Sequence, residues 1–298
     1  MFNGVKEKME IQILTSDWTE HELLDSGNRM KLERFGKYTI IRSEPKAWWK
    51  PSLPQAEWAK ASARNEDKGQ WILKDRGLSR DWFLKFDNLT FQARMTDMSK
   101  HVGVFPEQSP HWRCIRENAL KSKRKDLKLL NLFGYTGAAS LVAASSGFAV
   151  THVDASKPSV SWAKGNQEFS QLKDAPIRWI LDDAVKFVNR EIRRNSRYDA
   201  IIMDPPSFGR GPSGELWKAE TSLPELLDMC RQILTVNPLF IILTMYNLEA
   251  SSIMLGNIMK DAMKSNGGSV SFGELALKQK SSDKALPMSI YAKWEKSP

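Results

Sequence analysis

Two glycines and an aspartate stand at a spacing that suits nucleotide binding. Gly134 and Gly137 interrupt an apolar run that starts at Leu129, and the small residues 138–146 continue it with helical character. A strand, a tight glycine turn and a helix present backbone N–H groups to a nucleotide in a doubly wound sheet. Asp154 ends the next apolar run, where a carboxylate can accept hydrogen bonds from ribose hydroxyls. These residues predict a site for a cofactor that contains adenosine.

The glycine turn departs from the fingerprint of dinucleotide-binding proteins. That fingerprint reads G-x-G-x-x-G, and Leu132 occupies the position of its first glycine in this sequence. A pyrophosphate needs the closest approach of the backbone, so the replacement disfavours a dinucleotide. An ordinary strand–helix turn, whose glycines only permit close packing or positive φ, is the alternative interpretation.

Further acidic residues follow the third and fourth apolar runs of this region. Asp182 and Asp183 come after the run 177–181, where a carboxylate could accept a hydrogen bond from an adenine amino group. Asp204 comes after the run 198–203. Ligands bind at the carboxyl ends of strands in an open α/β sheet, so Asp204 is expected to face the reacting group. Each aspartate could instead cap the helix that follows it, and for Asp182 the two interpretations are balanced.

Apolar runs of strand length alternate with helical patterns along this part of the chain. The strands are expected at 129–133, 148–153, 177–181, 198–203, 239–244, 269–277 and 289–293, and the helices at 112–123, 158–169, 184–193, 223–234 and 253–264. This alternation predicts an α/β fold with a doubly wound, mostly parallel sheet of seven strands. No helix separates the last two strands, so they should form an antiparallel hairpin at one edge.

The N-terminal third of the chain has a different pattern. Short strand-like runs occur at 10–14, 38–42, 70–74, 82–86 and 89–95, and Asp87-Asn88 is a turn signal between the last two. We therefore predict a small β-rich domain for substrate recognition over residues 1–98 and a catalytic domain over residues 99–298. Trp48, Trp49 and Trp58 stand among lysines and prolines, where they could stack on unpaired bases or simply pack in a core.

The composition bounds the class of protein. The 298 residues carry a net charge of +9, with 44 Lys and Arg against 35 Asp and Glu. This charge favours a polyanionic partner, and the alternative is a soluble protein that is basic without such a partner. The C-terminal part of the helix at 112–123 and the residues that follow it are strongly basic. They are either a solvated helix end or a phosphate-contact surface: Lys121, Lys123, Arg124, Lys125 and Lys128. No apolar run approaches a membrane span and residues 1–9 lack a signal-peptide core, so a cytoplasmic location is expected.

Neither the cysteines nor the histidines support a metal site. The two cysteines, Cys114 and Cys230, allow no Cys-rich cluster and no disulfide framework, and both fall in helical patterns where a structural role is expected. The four histidines do not recur at ligand spacing: His21, His101, His111 and His152. We expect no metal cofactor. The sequence does not indicate an oligomeric state.

Taken together, the segments NLFGYTG, HVDAS, LDDAV and MDPPSF resemble class I S-adenosylmethionine-dependent methyltransferases. They resemble most closely the bacterial family that methylates large-subunit (23S) ribosomal RNA, and GVFPEQ and LLDSGNRMKLERFG are similar to segments that precede its catalytic domain. The resemblance is densest from about residue 98 to 250. It implies a Rossmann-like methyltransferase fold, S-adenosyl-L-methionine as cofactor, S-adenosyl-L-homocysteine as product, and RNA, expected to be ribosomal, as partner. The RNA-binding PUA domain of some relatives has no evident counterpart.

The resemblance also assigns residues to the cofactor. Residues of the glycine turn would lie under the methionine part, with Tyr135 and Thr136 as polar contacts: Asn131, Phe133, Gly134, Tyr135, Thr136 and Gly137. Asp154, with its neighbours Ala155 and Ser156, would hold the ribose. Asp183 would frame the adenine, together with its neighbours Asp182 and Ala184, and Phe105 and Gln108 would close the pocket from the other side.

The segment Asp204-Pro205-Pro206-Ser207-Phe208 carries the catalytic hypothesis. Methyl transfer needs an in-line nucleophile and little acid–base assistance, so positioning dominates. In such loops the carboxylate and a proline carbonyl can accept both hydrogens of a planar amine, and the aromatic ring can stack on a flipped base. We therefore assign catalytic roles to Asp204, Pro205, Pro206 and Phe208. A proline-rich strand exit with a buried phenylalanine is the alternative.

One departure from the family bears on the target atom. Relatives that methylate cytosine C5 use a cysteine shortly after the fifth strand, and this chain has Thr244-Met245-Tyr246 there. The missing thiol favours a nitrogen target over C5. Two other classes remain open at this point, namely an NAD-dependent oxidoreductase of the same fold and a non-catalytic RNA-binding relative.

Overall fold

The computed structural model describes residues 10–65, 70–74, 77–97, 99–210, 216–246 and 249–296. The N-terminal elements are β1 (Gln12–Thr15), β2 (His21–Gly27), β3 (Met30–Phe35), β4 (Tyr38–Ser43), α1 (Gln55–Trp58), β5 (Ala63–Asn65), β6 (Trp71–Leu73), β7 (Asp81–Phe86) and β8 (Leu89–Arg94). After the 3-10 turn Pro106–Gln108 come α2 (Ser109–Ser122), β9 (Lys128–Leu132), α3 (Ala138–Ser145), β10 (Ala149–Asp154), α4 (Lys157–Phe169), β11 (Ile177–Leu181), α5 (Ala184–Arg193) and β12 (Ala200–Met203). The last elements are β13 (Phe208–Arg210), β14 (Leu216–Lys218), α6 (Ala219–Gln232), β15 (Phe240–Met245), α7 (Ser252–Met263), β16 (Ser269–Lys278) and β17 (Ala285–Glu295).

Within the described ranges, eight strands form the large sheet, in the order β1-β16-β17-β15-β12-β9-β10-β11. β17 runs antiparallel to both of its neighbours, β15 and β16, and the other neighbouring pairs are parallel. The α/β fold with a mostly parallel sheet and an antiparallel last strand is therefore confirmed. The expected count of seven strands was one too low, because β1 joins the sheet beside β16.

The strand β1 comes from the segment that the sequence assigned to the N-terminal domain. Gln12 pairs with Gly273 of β16, and a Cβ atom at that glycine would lie within 2.6 Å of the Gln12 carbonyl carbon. Glycine is therefore needed for this close approach. The added strand also pairs backbone groups of β16 that would otherwise form an open edge, so the β16–β17 hairpin is not outermost. The domain boundary between residues 98 and 99 stays a prediction.

The central strands are apolar on both faces. Leu129 and Ile202 pack in the layer that includes α3, whereas Leu130 and Ile201 pack in the layer that includes α5, α6 and α7. Successive side chains of a strand point to opposite sides of a sheet, so each strand feeds both layers. Burial on two sides explains why these strands read as continuous apolar runs in the sequence.

The N-terminal region contains a sheet in the order β2-β3-β4-β5-β6 and a separate hairpin of β7 and β8. The β7–β8 hairpin confirms the prediction made from Asp87-Asn88. The β2–β3 hairpin was not predicted, because its two-residue turn is Asn28-Arg29 rather than Asn-Gly, with φ of 50° and 61°. Its strands also bury charged side chains, which hides the usual alternation of apolar and polar residues: His21, Lys31, Glu33 and, on β4, Arg42.

Asp25 of β2 connects the N-terminal region to the C-terminal hairpin. Its buried carboxylate accepts hydrogen bonds from Ser52 N (3.1 Å), Leu53 N (2.8 Å), Trp58 Nε1 (2.9 Å), Gln279 Nε2 (2.7 Å) and Ser281 Oγ (2.9 Å). Burial alone would raise the pKa of Asp25, but these hydrogen bonds outweigh it and hold the pKa below its usual value. The ionised form is therefore the stabilising one.

Replacing Asp25 by alanine is expected to lower the free energy of unfolding by about 3 kcal/mol or more, because buried donors lose their acceptor. Since the pKa of Asp25 is lower in the folded state, its contribution is present above the unfolded pKa of about 4 and is lost as pH falls below that value. Urea denaturation of both proteins at pH 7 and pH 3 checks this. The exposed Asp174→Ala variant is the control. An Asp25→Ala protein as stable as wild type would contradict the expected role.

Candidate functional site

The loops that carry the predicted site residues follow neighbouring parallel strands and lie side by side at the carboxyl ends of those strands. β9 lies between β10 and β12, and Leu132 at its end pairs with Val153 on one side and Met203 on the other. The chain runs outward from β9 through β10 to β11 and then returns to β12 on the opposite side of β9. This reversal of strand order is the place where open α/β sheets bind ligands.

The turn after β9 has an unusual backbone. Phe133 and Tyr135 have left-handed φ values of 57° and 50°, and Gly137 has a φ of 85°. Residues other than glycine cost of order 1 kcal/mol or more in this region, so surrounding contacts must hold the turn. Two such contacts are the hydrogen bond from Gly134 N to Val153 O (3.1 Å) and the Thr136 hydroxyl, which donates to the Gly103 carbonyl. The strand–turn–helix predicted here is therefore present and locally strained.

A buried polar group supports the turn from below. Asn131 Nδ2 donates to Ser140 Oγ (2.9 Å), and Ser140 Oγ lies 3.0 Å from His152 Nδ1. Burial lowers the pKa of His152 to about 3, so its ring is neutral. The Asn131 side chain therefore packs under the turn. A Cβ atom at Gly134 would lie 2.5 Å from His152 Nδ1, which explains the need for glycine.

Replacing Gly134 by alanine is expected to displace the turn and weaken binding of S-adenosylmethionine about tenfold or more, since about 1.4 kcal/mol of strain corresponds to that factor. Isothermal titration calorimetry measures the affinity. The matched control is Gly165→Ala within α4, where the nearest atom to the new Cβ would be 3.7 Å away and helix propensity favours alanine. Equal affinity in the two variants would contradict a binding role for the turn.

Asp154 joins the turn to the loop after β10. Its Oδ2 accepts a hydrogen bond from Tyr135 N and its Oδ1 accepts one from Ser156 N, both at 2.8 Å. Burial raises the pKa of Asp154, and these two hydrogen bonds oppose the rise. Each carboxylate oxygen has a second lone pair, so the group can still accept two hydroxyl donors. Ser156 itself caps α4, because its Oγ accepts from Ser159 N (3.3 Å). Ala155 separates these two residues.

Asp182 and Asp183, which follow β11, have partners within the chain. Asp183 Oδ1 accepts from Lys186 N (2.9 Å) and so caps α5, whose first residue is the buried Ala184. Asp182 accepts from Asp183 N (2.8 Å) and is ion-paired with Arg190. The capping alternative therefore describes Asp183. A contact with adenine stays a prediction for these three residues.

Phe105 packs between the glycine turn and the residue that follows β15. Its ring centroid lies 5.6 Å from that of Tyr135 and 5.3 Å from that of Tyr246, the residue after β15. His101 also packs against Phe105, with ring centroids 5.0 Å apart. The structure thus brings Phe105 beside the turn and adds Tyr246, which the sequence analysis noted only for the missing thiol. The role of Phe105 in closing a cofactor pocket stays a prediction.

Asp204 lies at the end of β12 and meets the 3-10 turn. Gln108 Nε2 is 3.3 Å from Asp204 Oδ2 and 3.2 Å from the Tyr246 hydroxyl, so one amide group bridges both. Burial, followed by the charge of nearby Glu107, raises the pKa of Asp204 well above its usual value. Glu107 was not identified from the sequence. The only signal for it was its place in the GVFPEQ segment beside Gln108.

The rest of the DPPSF segment turns outward. The Pro206 carbonyl accepts from Trp217 Nε1 (2.6 Å), and the Ser207 carbonyl accepts from Ala219 N (3.0 Å). The carbonyl of the buried Pro205 is therefore the better candidate for contact with a substrate amine. Phe208 is 57% exposed, whereas the alternative interpretation of this segment required a buried ring. The catalytic roles of these residues stay predictions.

Other candidate groups lie away from these carboxyl ends. The basic residues at the end of α2 come just before β9, at the amino ends of the parallel strands. Arg124 in this group is ion-paired with Asp199 (2.8 Å). Cys230 is buried in α6, and Cys114 is partly buried in α2. Across the described ranges, no group of three or more His, Cys, Asp and Glu is placed to hold a metal ion, and no helix is long and apolar enough to cross a membrane.

Comparisons with curated proteins give relatives for part of the chain. It is 40% identical over 185 residues to the ribosomal RNA large subunit methyltransferase K/L of Shewanella loihica, covering 58% of this chain and 25% of that protein. It is 26% identical over 192 residues to the ribosomal RNA large subunit methyltransferase K of Neisseria meningitidis serogroup B, covering 61% and 53%. The chain thus spans at most about half the length of these relatives. No family model matches it.

Solved structures give a match along the whole chain. The SAM-dependent methyltransferase from Agrobacterium tumefaciens is 42% identical with a TM-score of 0.92, covering 100% of this chain and 99% of that one. SMU.776 complexed with SAH shares the fold, at 18% identity and a TM-score of 0.69, covering 94% and 76%. These similarities favour methyl transfer over the oxidoreductase alternative. By its fold and by this identity along its full length, the chain belongs to the class I S-adenosylmethionine-dependent methyltransferases.

Proposed function

We propose that this methyltransferase acts on a nitrogen atom of a base in ribosomal RNA. The observation that carries the choice of nitrogen is the environment after β15, where the Tyr246 hydroxyl faces Gln108 and no thiol is present. Cytosine C5 methylation needs a cysteine nucleophile, and the two cysteines of the chain are held in α2 and α6. Ribosomal RNA is proposed because the partial relatives are named for it.

The residues at the carboxyl ends of the strands fit S-adenosylmethionine. When bound, that cofactor supplies an electrophilic methyl group. Asp154 offers two carboxylate oxygens for ribose hydroxyls while its backbone partners keep it in place. Gly134 and Gly137 add no side chains to the turn, and the rings of Phe105 and Tyr135 pack together beside it. We propose that Asp182, Asp183 and Ala184 border the adenine beyond them.

The substrate base is proposed to enter beside Phe208. The exposed ring can stack on a flipped base, and the Asp204 carboxylate and Pro205 carbonyl can accept the hydrogens of its amino group. Acceptors on both hydrogens orient the nitrogen lone pair toward the cofactor side of the cleft, which is the positioning that methyl transfer requires. The net charge of +9 favours association with the RNA backbone.

The proposal is tested on ribosomal RNA from cells that lack the gene. Purified protein and tritiated S-adenosylmethionine should label this RNA, and mass spectrometry should identify an N-methylated nucleoside that is missing from the mutant cells. Wild-type ribosomal RNA, already modified, is the matched control and should take up little label. Appearance of 5-methylcytidine would overturn the nitrogen assignment, and no label above background would favour the RNA-binding alternative.

A further inference from the structure

Glu107 is a buried carboxylate that the proposed function does not use. The residue is 1% exposed, and its Oε1 has no hydrogen-bond partner among the residues that the structure describes. Burying a charged oxygen atom that accepts no hydrogen bond is costly, and such atoms in native proteins call for an explanation. The Glu107 carboxyl group is therefore either protonated or accepts a hydrogen bond from a group outside the described residues.

The surroundings place Glu107 in one cluster with Asp204. The 3-10 turn holds Glu107 beside Gln108, whose amide bridges Asp204 and Tyr246. The Tyr246 hydroxyl is within hydrogen-bonding reach of the Glu107 carboxylate. The two carboxylates are thus linked through Gln108 and Tyr246 at the point where β12 and β15 end.

Nearby cations do not neutralise this cluster directly. The charge of Lys31 favours the ionised form of Glu107, and Lys46 also interacts with Glu107. The charge of Glu33 disfavours the ionised form of Glu107. Lys31 is ion-paired with Glu33 (3.6 Å) and Glu44 (3.4 Å), and Lys46 donates to the Met288 carbonyl (2.5 Å). Glu107 is buried, Asp204 is partly buried, and neither forms an ion pair with a cation of the described residues. Neighbouring carboxylates in such surroundings do not both ionise, as in the shared-proton pairs of other enzymes.

We infer that Glu107 and Asp204 form a carboxylate pair that shares one proton, and that this pair takes up the proton which the target amine loses on methylation. The inference rests on the proposed function. The amine nitrogen forms the new N–C bond as the S–C bond breaks, and the sulfur keeps that electron pair. The nitrogen then gives its proton to Asp204. Glu107 acts through Asp204 and is a positioning residue, whereas Asp204 contacts the substrate.

The pair can be tested without RNA. Carboxyl carbons of Asp and Glu are labelled with 13C, and the Asp204 signal, assigned by its absence in Asp204→Asn, is followed by NMR from pH 4 to pH 9. Glu107→Gln removes the neighbouring charge and keeps the shape, so Asp204 should titrate about one unit lower in that variant. Glu107→Asp should restore most of the wild-type midpoint. Glu225→Gln, on an exposed position of α6, controls for charge removal and should leave the midpoint unchanged.

Activity gives an independent readout. With ribosomal RNA from gene-deleted cells, Glu107→Gln should lower kcat/KM at pH 7 about tenfold and move the acidic limb of its pH profile to lower pH. Affinity for S-adenosylmethionine by calorimetry should be unchanged. A tenfold loss of that affinity with an unmoved pH profile would overturn the inference and make Glu107 a cofactor contact.

The remaining outcomes distinguish a failure of the Glu107–Asp204 pair from a failure of the proposed RNA methylation. An Asp204 midpoint that is ordinary in wild type, or equal in wild type and Glu107→Gln, overturns the pair whatever the protein methylates. A shifted midpoint in a protein that methylates no RNA supports the pair while refuting the proposed function. Methylation of a nitrogen that carries no hydrogen would refute the proton-transfer step.

Discussion

Alanine at position 204 is expected to reduce kcat about a thousandfold or more while the affinity for S-adenosylmethionine stays within about twofold, since a positioned carboxylate contributes factors of 100 to 10,000. The structure separates the two effects. Asp204 follows β12 and contacts Gln108, whereas the glycine turn follows β9 and Asp154 is the last residue of β10. Single-turnover transfer to ribosomal RNA from gene-deleted cells gives the rate, and calorimetry gives the affinity.

The Asn variant at position 204 refines this result. It keeps an oxygen that can accept a hydrogen bond but cannot take up a proton at neutral pH, so Asp204→Asn should fall between wild type and Asp204→Ala. Asp174→Ala, on the exposed surface, is the control for charge. Undiminished turnover in Asp204→Ala would remove the catalytic assignment, and a parallel loss of affinity would make Asp204 a cofactor contact.

Alanine at position 154 is expected to weaken S-adenosylmethionine binding about 100-fold, because two hydrogen bonds to a charged acceptor contribute about 1.5 kcal/mol each. The variant also leaves Tyr135 N and Ser156 N without their acceptor. At saturating cofactor, kcat should remain close to that of wild type. Calorimetry and a titration of kcat against cofactor concentration measure the two quantities.

A change in folding must be separated from a change in binding. Thermal unfolding of Asp154→Ala without cofactor should show a small decrease in Tm, and added S-adenosylmethionine should raise its Tm much less than it raises that of wild type. Asp154→Asn, which keeps one acceptor oxygen, should bind with intermediate affinity. An unchanged affinity in Asp154→Ala would refute the ribose assignment.

The sequence predicted the parallel sheet well because its local patterns and its tertiary structure agree. β11 and α5 have the bounds expected from the sequence, since each apolar run ends at a polar residue that also begins a loop or caps a helix. Ser156, expected near the start of a helix, caps α4. These features depend on neighbours a few residues away and are visible in a single sequence.

The features that were missed depend on distant partners. The β2–β3 hairpin buries Glu33 against Arg42 and His21, and such ion pairing makes charged residues look like surface positions in a sequence. Tyr246 meets Gln108, which lies 138 residues earlier, and nothing local to either residue indicates the contact. The glycine turn and the aspartates after the strands could be predicted from the sequence. The contacts of Asp204 with Gln108 and its neighbours could not, because they depend on the tertiary fold.

The pairing of β1 with β16 has a consequence for the order of folding during synthesis. The strand pairing of Gln12 with Gly273 cannot form until Gly273 has been synthesised. The same holds for the hydrogen bond between Ser26 and Gln279, which lie 253 residues apart. The strand β1 therefore stays unpaired until residues 273–276 of β16 have been translated. Such long-range closure slows folding and exposes the early segment to aggregation. Nascent chains stalled before residue 269 should accordingly keep their N-terminal strand sensitive to protease.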